Sequence, residues 1–242
     1  MKITEAQKNR TALQLEQVLR RKLAAAHHIV RKMKCDDLLA THLSARIPGT
    51  EQLLITPLNI PFEEVTAEKL IKCDFNGKIL VNNKQKLLPQ AINIHGEIYK
   101  ADLTINSAMH THSIYGVALS TLECGIVFNH QQAMRFYNDV AYHKFDGLAL
   151  HNEGKEIVAS LGNKKTMVLN NHGLLTTGTS IEEAMYLLYY LEAVCEIQIK
   201  AMSTNQKQIA VSEEACRKTK AQFDSIKTPE LEFEVLARRG RC

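Results

Sequence analysis

Apolar residues recur at helical spacing along the start of the chain. Leu15, Val18, Leu19, Leu23, Ala26, Ile29, Val30 and Met33 share one face of a 3.6-residue period. They predict a long amphipathic helix or helix pair from about residue 5 to 40, and Thr4-x-x-Gln7 reads as its capping box. The period then changes. Leu43–Ile47 and Gln52–Thr56 read as a hairpin around Pro48-Gly49-Thr50. Asn76-Gly77 predicts a tight turn between Ile71–Asp74 and Lys78–Val81. Helices are expected over Glu63–Leu70, Ile94–Ala101, Ile114–Thr121 and Lys155–Leu161, with strands over Ser107–His112, Leu148–Leu150 and Thr166–Asn170. Ser180-x-x-Glu183 opens a strong helix that runs to about Met202. Beyond it, one polar helix and an extended Thr228–Leu236 segment look peripheral, placed to clasp the body or a neighbouring subunit.

Hairpins mixed with long helices predict an α/β layered fold, its largely antiparallel sheet covered on both sides. A chain of 242 residues, 45% hydrophobic, is enough for one sizeable core. A single domain is expected, with residues 1–202 as its body and 203–242 as its peripheral helix and tail. A net charge of +4 gives no reason to expect nucleic acid or membrane as a partner. The basic cluster Arg238-Arg239-Gly240-Arg241 reads as a solvated tail. No apolar h-region opens the chain, and no apolar run approaches membrane-spanning length. Six dispersed cysteines without a CxxC pair fit a reducing compartment, so a cytoplasmic location is expected.

Three histidines carry the candidate chemistry. In a strand, residues i and i+2 point to the same side, so His110 and His112 project together. His172 follows another buried strand, in a turn that Gly173 makes possible and that is expected to lead into a helix. If the strand ends are neighbours, three imidazoles converge and leave a coordination position open, as catalytic metal sites do. The pair alone also suits packed or surface histidines. His27, His28, His42, His130, His143 and His151 fit structural or surface roles, and His95 a packed, hydrogen-bonded one. Glu192, in an apolar helix, needs a partner. A salt bridge is favoured over a hydrogen bond to a ligand histidine.

The chain resembles the class II aldolase/adducin-head family through an ordered set of motifs: Thr41-His42-Leu43-Ser44-Ala45-Arg46, Leu53-Leu54-Ile55-Thr56-Pro57, Glu64-Val65-Thr66-Ala67, Ile94-His95-Gly96-Glu97-Ile98-Tyr99, Ala108-Met109-His110-Thr111-His112-Ser113, Val140-Ala141-Tyr142-His143, and Asn171-His172-Gly173-Leu174-Leu175-Thr176-Thr177-Gly178. It is similar to a single-domain member of the adducin-like branch. The resemblance implies a three-layer α/β/α domain with a central, mainly antiparallel mixed sheet. It also implies a homotetramer and a zinc-type metal on His110, His112 and His172. In the family's aldolases the metal stabilises an enediolate as a C–C bond breaks.

Two departures from that pattern matter. Where the fuculose-phosphate aldolases carry Ser-Ser-Glu, this chain has Pro89-Gln90-Ala91-Ile92-Asn93, without a carboxylate. Where they carry a phosphate-binding Gly-Asn-x-Ser, it has Thr41-His42-Leu43-Ser44. The expected function is therefore a metal-dependent, aldolase-like lyase on a small hydroxy-carbonyl substrate, not a sugar phosphate. Zn2+ is the first metal expected, with Mn2+, Co2+, Fe2+ or Ni2+ as alternatives. Glu97 and Tyr137 are the proton-transfer candidates, beside His95 and Tyr115. The other function class is a non-catalytic, adducin-head-like scaffold that keeps the ligand histidines.

Overall fold

The computed structural model describes residues 5–81, 84–148 and 153–240. The capping box proposed at Thr4, and all of the expected Leu148–Leu150 strand but Leu148, lie outside them. Seven helices, α1 Glu5–Lys32, α2 Pro89–Ala101, α3 Ile114–Ser120, α4 Glu153–Leu161, α5 Ile181–Ser203, α6 Glu213–Ile226 and α7 Pro229–Gly240, flank one sheet among the described residues. Its strands are β1 His42–Arg46, β2 Gln52–Ile55, β3 Ile71–Asp74, β4 Ser107–Thr111, β5 Ala141–His143, β6 Thr166–Leu169 and β7 Gly173–Gly178. They lie in the order β3-β2-β1-β4-β7-β6-β5. Every neighbouring pair is antiparallel except β5–β6, which is parallel. The mixed, mainly antiparallel α/β/α sandwich is the fold class expected from the sequence.

Strand alternation assigns the layers. Leu43, Ala45, Leu54 and Met109 pack with α1, α5 and α7. Leu53, Ile55, Ala108, Met167 and Leu175 pack with α2 and α4 on the opposite face. Among the described side chains, helix α1 is buried in its second half, through Leu23, Ala26, Ile29 and Val30. Leu15 and Val18 of the expected stripe are exposed, as is Leu13. No described helix is long and apolar enough to cross a membrane. Cys35, Cys73, Cys195 and Cys216 are buried free thiols and Cys124 is exposed. Burial pushes the Cys195 thiol well up, as suits an inert packing residue.

Four local expectations change. The helix expected over Glu63–Leu70 is a single 3-10 turn, Phe62–Glu64. Carbonyls that a helix would use internally are taken by α1: Val65 O binds His28 Nε2 at 2.9 Å, and Ala67 O and Leu70 O accept from Arg20 at 2.9 and 3.1 Å. The return strand after Asn76-Gly77 shrinks to one bridge, Cys73 with Ile79. His172 leads into β7 rather than a helix. Thr228–Leu236, expected extended, lies largely in helix α7. Glu230, Glu232 and Glu234 alternate with Leu231, Phe233 and Val235 and so mimic a strand period. Proline in the first turn, early acids and late arginines favour a helix. Phe233, Leu236 and Ala237 then pack at i, i+3 and i+4 against the α1–α5 core.

Ser180 caps α5 as its spacing predicts, but the return bond from Glu183 goes to the residue before the cap. Ser180 Oγ accepts from Glu183 N at 3.1 Å, while Glu183 Oε2 accepts from Thr179 N at 2.8 Å. Ser180→Ala is expected to lower stability by about 1 kcal/mol. A urea midpoint unchanged from the native protein would contradict this.

Candidate metal centre

Strand β4 carries His110 on the α2 side of the sheet, buried to 1% exposure. His112 follows one residue past the strand end. His172 sits in the tight β6–β7 turn, where its N–H bonds Leu169 O at 3.0 Å and Asn171 adopts a φ of 56°. Gly173 brings this turn against β4: a Cβ there would lie 2.3 Å from Thr111 O. One nitrogen from each of His110, His112 and His172 falls within 4.8 Å of the others.

Hydrogen bonds fix which nitrogens face inward. His110 Nδ1 lies 2.8 Å from Leu174 O, which can only accept, so Nδ1 carries the proton. His112 Nδ1 lies 2.7 Å from Asp37 Oδ2. Burial raises the Asp37 pKa, but the His112 hydrogen bond and charge and the Thr41 amide outweigh it and bring it down to about 2. Asp37 is therefore an ionised acceptor, and His112 Nδ1 donates to it. His110 Nε2 therefore offers a lone pair toward His112 Nε2, 2.8 Å away, a separation that needs a proton or a cation between the two nitrogens. Burial, then the neighbouring imidazoles His42, His112 and His172, hold the His110 pKa well below its usual value. Burial and then His112 bring His172 down to about 4. Near pH 7 both are neutral, the form a metal ligand needs.

The three rings open onto a pocket of about 250 Å³. Ala40, Leu88, Ile94 and Leu148 give it apolar walls, and His42 and Gln90 add polar groups. No lysine or arginine is among the described lining residues. Gln90 Oε1 is buried without a hydrogen-bond partner. His42 belongs to a buried chain of hydrogen bonds. Its Nδ1 meets His95 Nε2 at 2.8 Å, His95 Nδ1 meets Ser44 Oγ, and Ser44 Oγ meets Tyr99 OH at 2.7 Å. Beneath it, the Arg46 guanidinium stacks 5.2 Å from the Tyr99 ring and donates to Tyr99 O and Asp102 O.

The sequence-derived candidates divide. His110, His112 and His172 come together, and His95 supports the pocket through His42. Glu97 bonds Lys100 at 2.7 Å, and Tyr137 packs edge-on to Phe128 with centroids 5.1 Å apart. Tyr115 lies near Lys200, 5.5 Å from ring centroid to Nζ. None of these three lines the pocket. Glu192 takes neither expected partner and binds the hydroxyls of Thr111 and Ser113. His42, Asp37 and Gln90 are additions from the structure. For Gln90 and His42 the sequence held a signal, since each lies in a stretch where the chain departs from the fuculose-phosphate aldolase pattern.

Fold and site together define an α/β/α domain whose open pocket holds three converging imidazoles. The chain belongs to the class II aldolase and adducin N-terminal domain family, whose sequence model matches residues 21–199. It superposes on an aldolase II superfamily protein from Pseudomonas syringae with a TM-score of 0.89 and 34% identity, covering 93% of each chain. An L-fuculose 1-phosphate aldolase from Glaciozyma antarctica gives 0.84 and 27% identity, over 93% of this chain and 89% of that one. Alpha-adducin of Mus musculus is 33% identical over 194 residues, which is 78% of this chain and 26% of adducin.

Proposed function

We propose that the chain is a divalent-metal-dependent, aldolase-like lyase acting on a small hydroxy-carbonyl compound without a phosphate group. The observation that carries this reading is the convergence of His110, His112 and His172 at the pocket, one nitrogen of each within 4.8 Å of the others. Three converging imidazoles with an open side fit a divalent cation, zinc first, with manganese, cobalt, iron and nickel as alternatives. When bound, it supplies Lewis-acid polarisation of a carbonyl or hydroxyl oxygen.

The other groups of the pocket bind and orient the substrate. The free Gln90 Oε1 accepts a hydrogen bond from a substrate hydroxyl. The pocket's size limits the substrate to a small molecule, and the absence of lysine and arginine from its described lining disfavours a phosphate. His42 uses Nδ1 toward His95 and keeps Nε2 for the pocket. If Tyr99, Ser44 and His95 each donate toward His42, Nε2 carries a proton. With the chain reversed, Nε2 is an acceptor. The chain holds the same number of protons in both senses, so His42 changes role without burying a charge.

Glu97 and Tyr137 remain proton-transfer candidates only for the pocket of a neighbouring subunit in the proposed homotetramer. Exposed Leu38, Leu39 and Ile114 support such association. The unpaired cysteines suit a reducing, cytoplasmic setting.

Metal analysis of protein purified without added metal tests the reading. A divalent metal should co-purify in proportion to protein. The double variant His110→Ala, His112→Ala should lose both the metal and turnover of small hydroxy-carbonyl compounds, and retained turnover would sink the lyase. The relation to alpha-adducin and the absence of a carboxylate from the described pocket lining favour one second reading, a non-catalytic scaffold. Metal-free protein with a melting temperature indifferent to chelator would select it.

A further inference from the structure

Glu192 lies on α5, across the sheet from the pocket, and is 6% exposed. Its two oxygens grip the residues that alternate with the paired histidines. Thr111, between His110 and His112, points away from the pocket and donates to Oε1 at 2.8 Å. Ser113, directly after His112, donates to Oε2.

Ser113 carries the connection further. Its Oγ also accepts from Gly116 N at 3.0 Å and so caps helix α3. The far end of α3 holds the third histidine: Ser120 Oγ accepts from His172 N at 3.1 Å, and Ser120 O accepts from Asn171 N at 2.9 Å. Between these ends α3 is wedged onto β7, where a Cβ at Gly116 would lie 2.8 Å from Leu174 Cδ1. The Leu174 carbonyl is in turn the acceptor for His110 Nδ1. One carboxylate thus bears on the backbone of all three pocket histidines. Packing alone does not account for it, because a buried acid costs more than an aliphatic side chain of similar size.

We propose that Glu192 is the positioning residue of the metal centre: through Thr111, Ser113 and helix α3 it sets the spacing of His110, His112 and His172 from the face of the sheet opposite the pocket. This rests on the metal-centre reading above. Glu192 touches no reacting group.

Two measurements test it on the full chain. Co2+ is titrated into the native protein, Glu192→Gln and the near-isosteric Thr111→Val, each checked for folding by far-UV circular dichroism. Either variant should bind Co2+ about 10-fold more weakly, with a shifted visible d–d band. A role in stability alone would lower the melting temperature and leave the band in place. An unchanged band and affinity in folded variants overturn the proposal. In metal-free protein, the imidazole nitrogen resonances of His110, His112 and His172 should shift in both variants, while those of His27, bonded to Leu23 O and Thr56, stay put. Resonances that do not move overturn the proposal whether or not Co2+ binds. Failure of the native protein to take up Co2+ with shifted resonances would instead remove the metal reading and support the positioning role.

Discussion

Acidification of the metal-free protein from pH 6.5 to 4.5 is expected to collapse its urea midpoint. Five histidines drive the loss. Burial brings His27 and His172 down to about 4 and His95 to about 3. Burial, reinforced by neighbouring imidazoles, holds His42 and His110 well below the ordinary value. In the unfolded chain each would titrate near 6.5. Folded-state values below unfolded ones mean that the unfolded chain takes up protons first. Stability is therefore complete above about pH 6.5 and is lost as pH falls toward 4 and 3. Each group contributes at most about 1.4 kcal/mol per pH unit, so several acting together produce a steep decline. Asp37 works in a lower window. Its folded value of about 2 lies below that of a free carboxyl, so its contribution is lost only below about pH 4. Urea melts at half-unit steps separate the two, and a midpoint level down to pH 5 would refute the histidine origin.

Gly173→Ala is expected to cost about 100-fold in affinity for a divalent cation. The added Cβ would stand 2.3 Å from Thr111 O and 3.1 Å from His112 Cδ2. The first neighbour is backbone, so no side-chain rotation relieves it. Either β7 withdraws from β4 or the His172 turn swings away. Metal centres tolerate only a few tenths of an ångström in ligand distance. Competition against a chelator of known affinity reads the change, and binding within twofold of the native protein would show that the turn yields without moving His172.

The paired histidines were legible because a strand puts i and i+2 on one side, and His172 because its motif accompanies them. Asp37 was not: it reaches His112 from a loop far back in the chain, and no local pattern marks that contact. His42 was passed over for a related reason. Alternation in His42-Leu43-Ser44-Ala45-Arg46 shows that a strand has two faces, but not that both are covered. Here α2 lies over the polar side, and all five residues are buried. Helix α5 followed its apolar stripe and α1 did so from Leu23 onward, whereas α7 hid behind alternating glutamates until its contacts with α1 and α5 settled its period. Strand β7 was missed because glycines bound a threonine-containing run, and its partners β4 and β6 supply the order that its own residues do not.

The seam of His42, Ser44, Arg46, His95 and Tyr99 between the sheet and α2 sets durability against a polar supply of hydrogen bonds. A domain that served only to hold partners together would gain by filling that layer with aliphatic side chains, since well-packed apolar groups commonly outdo buried polar networks in stability. The layer that could make this protein most resistant to heat is the one that supplies its pocket with hydrogen bonds.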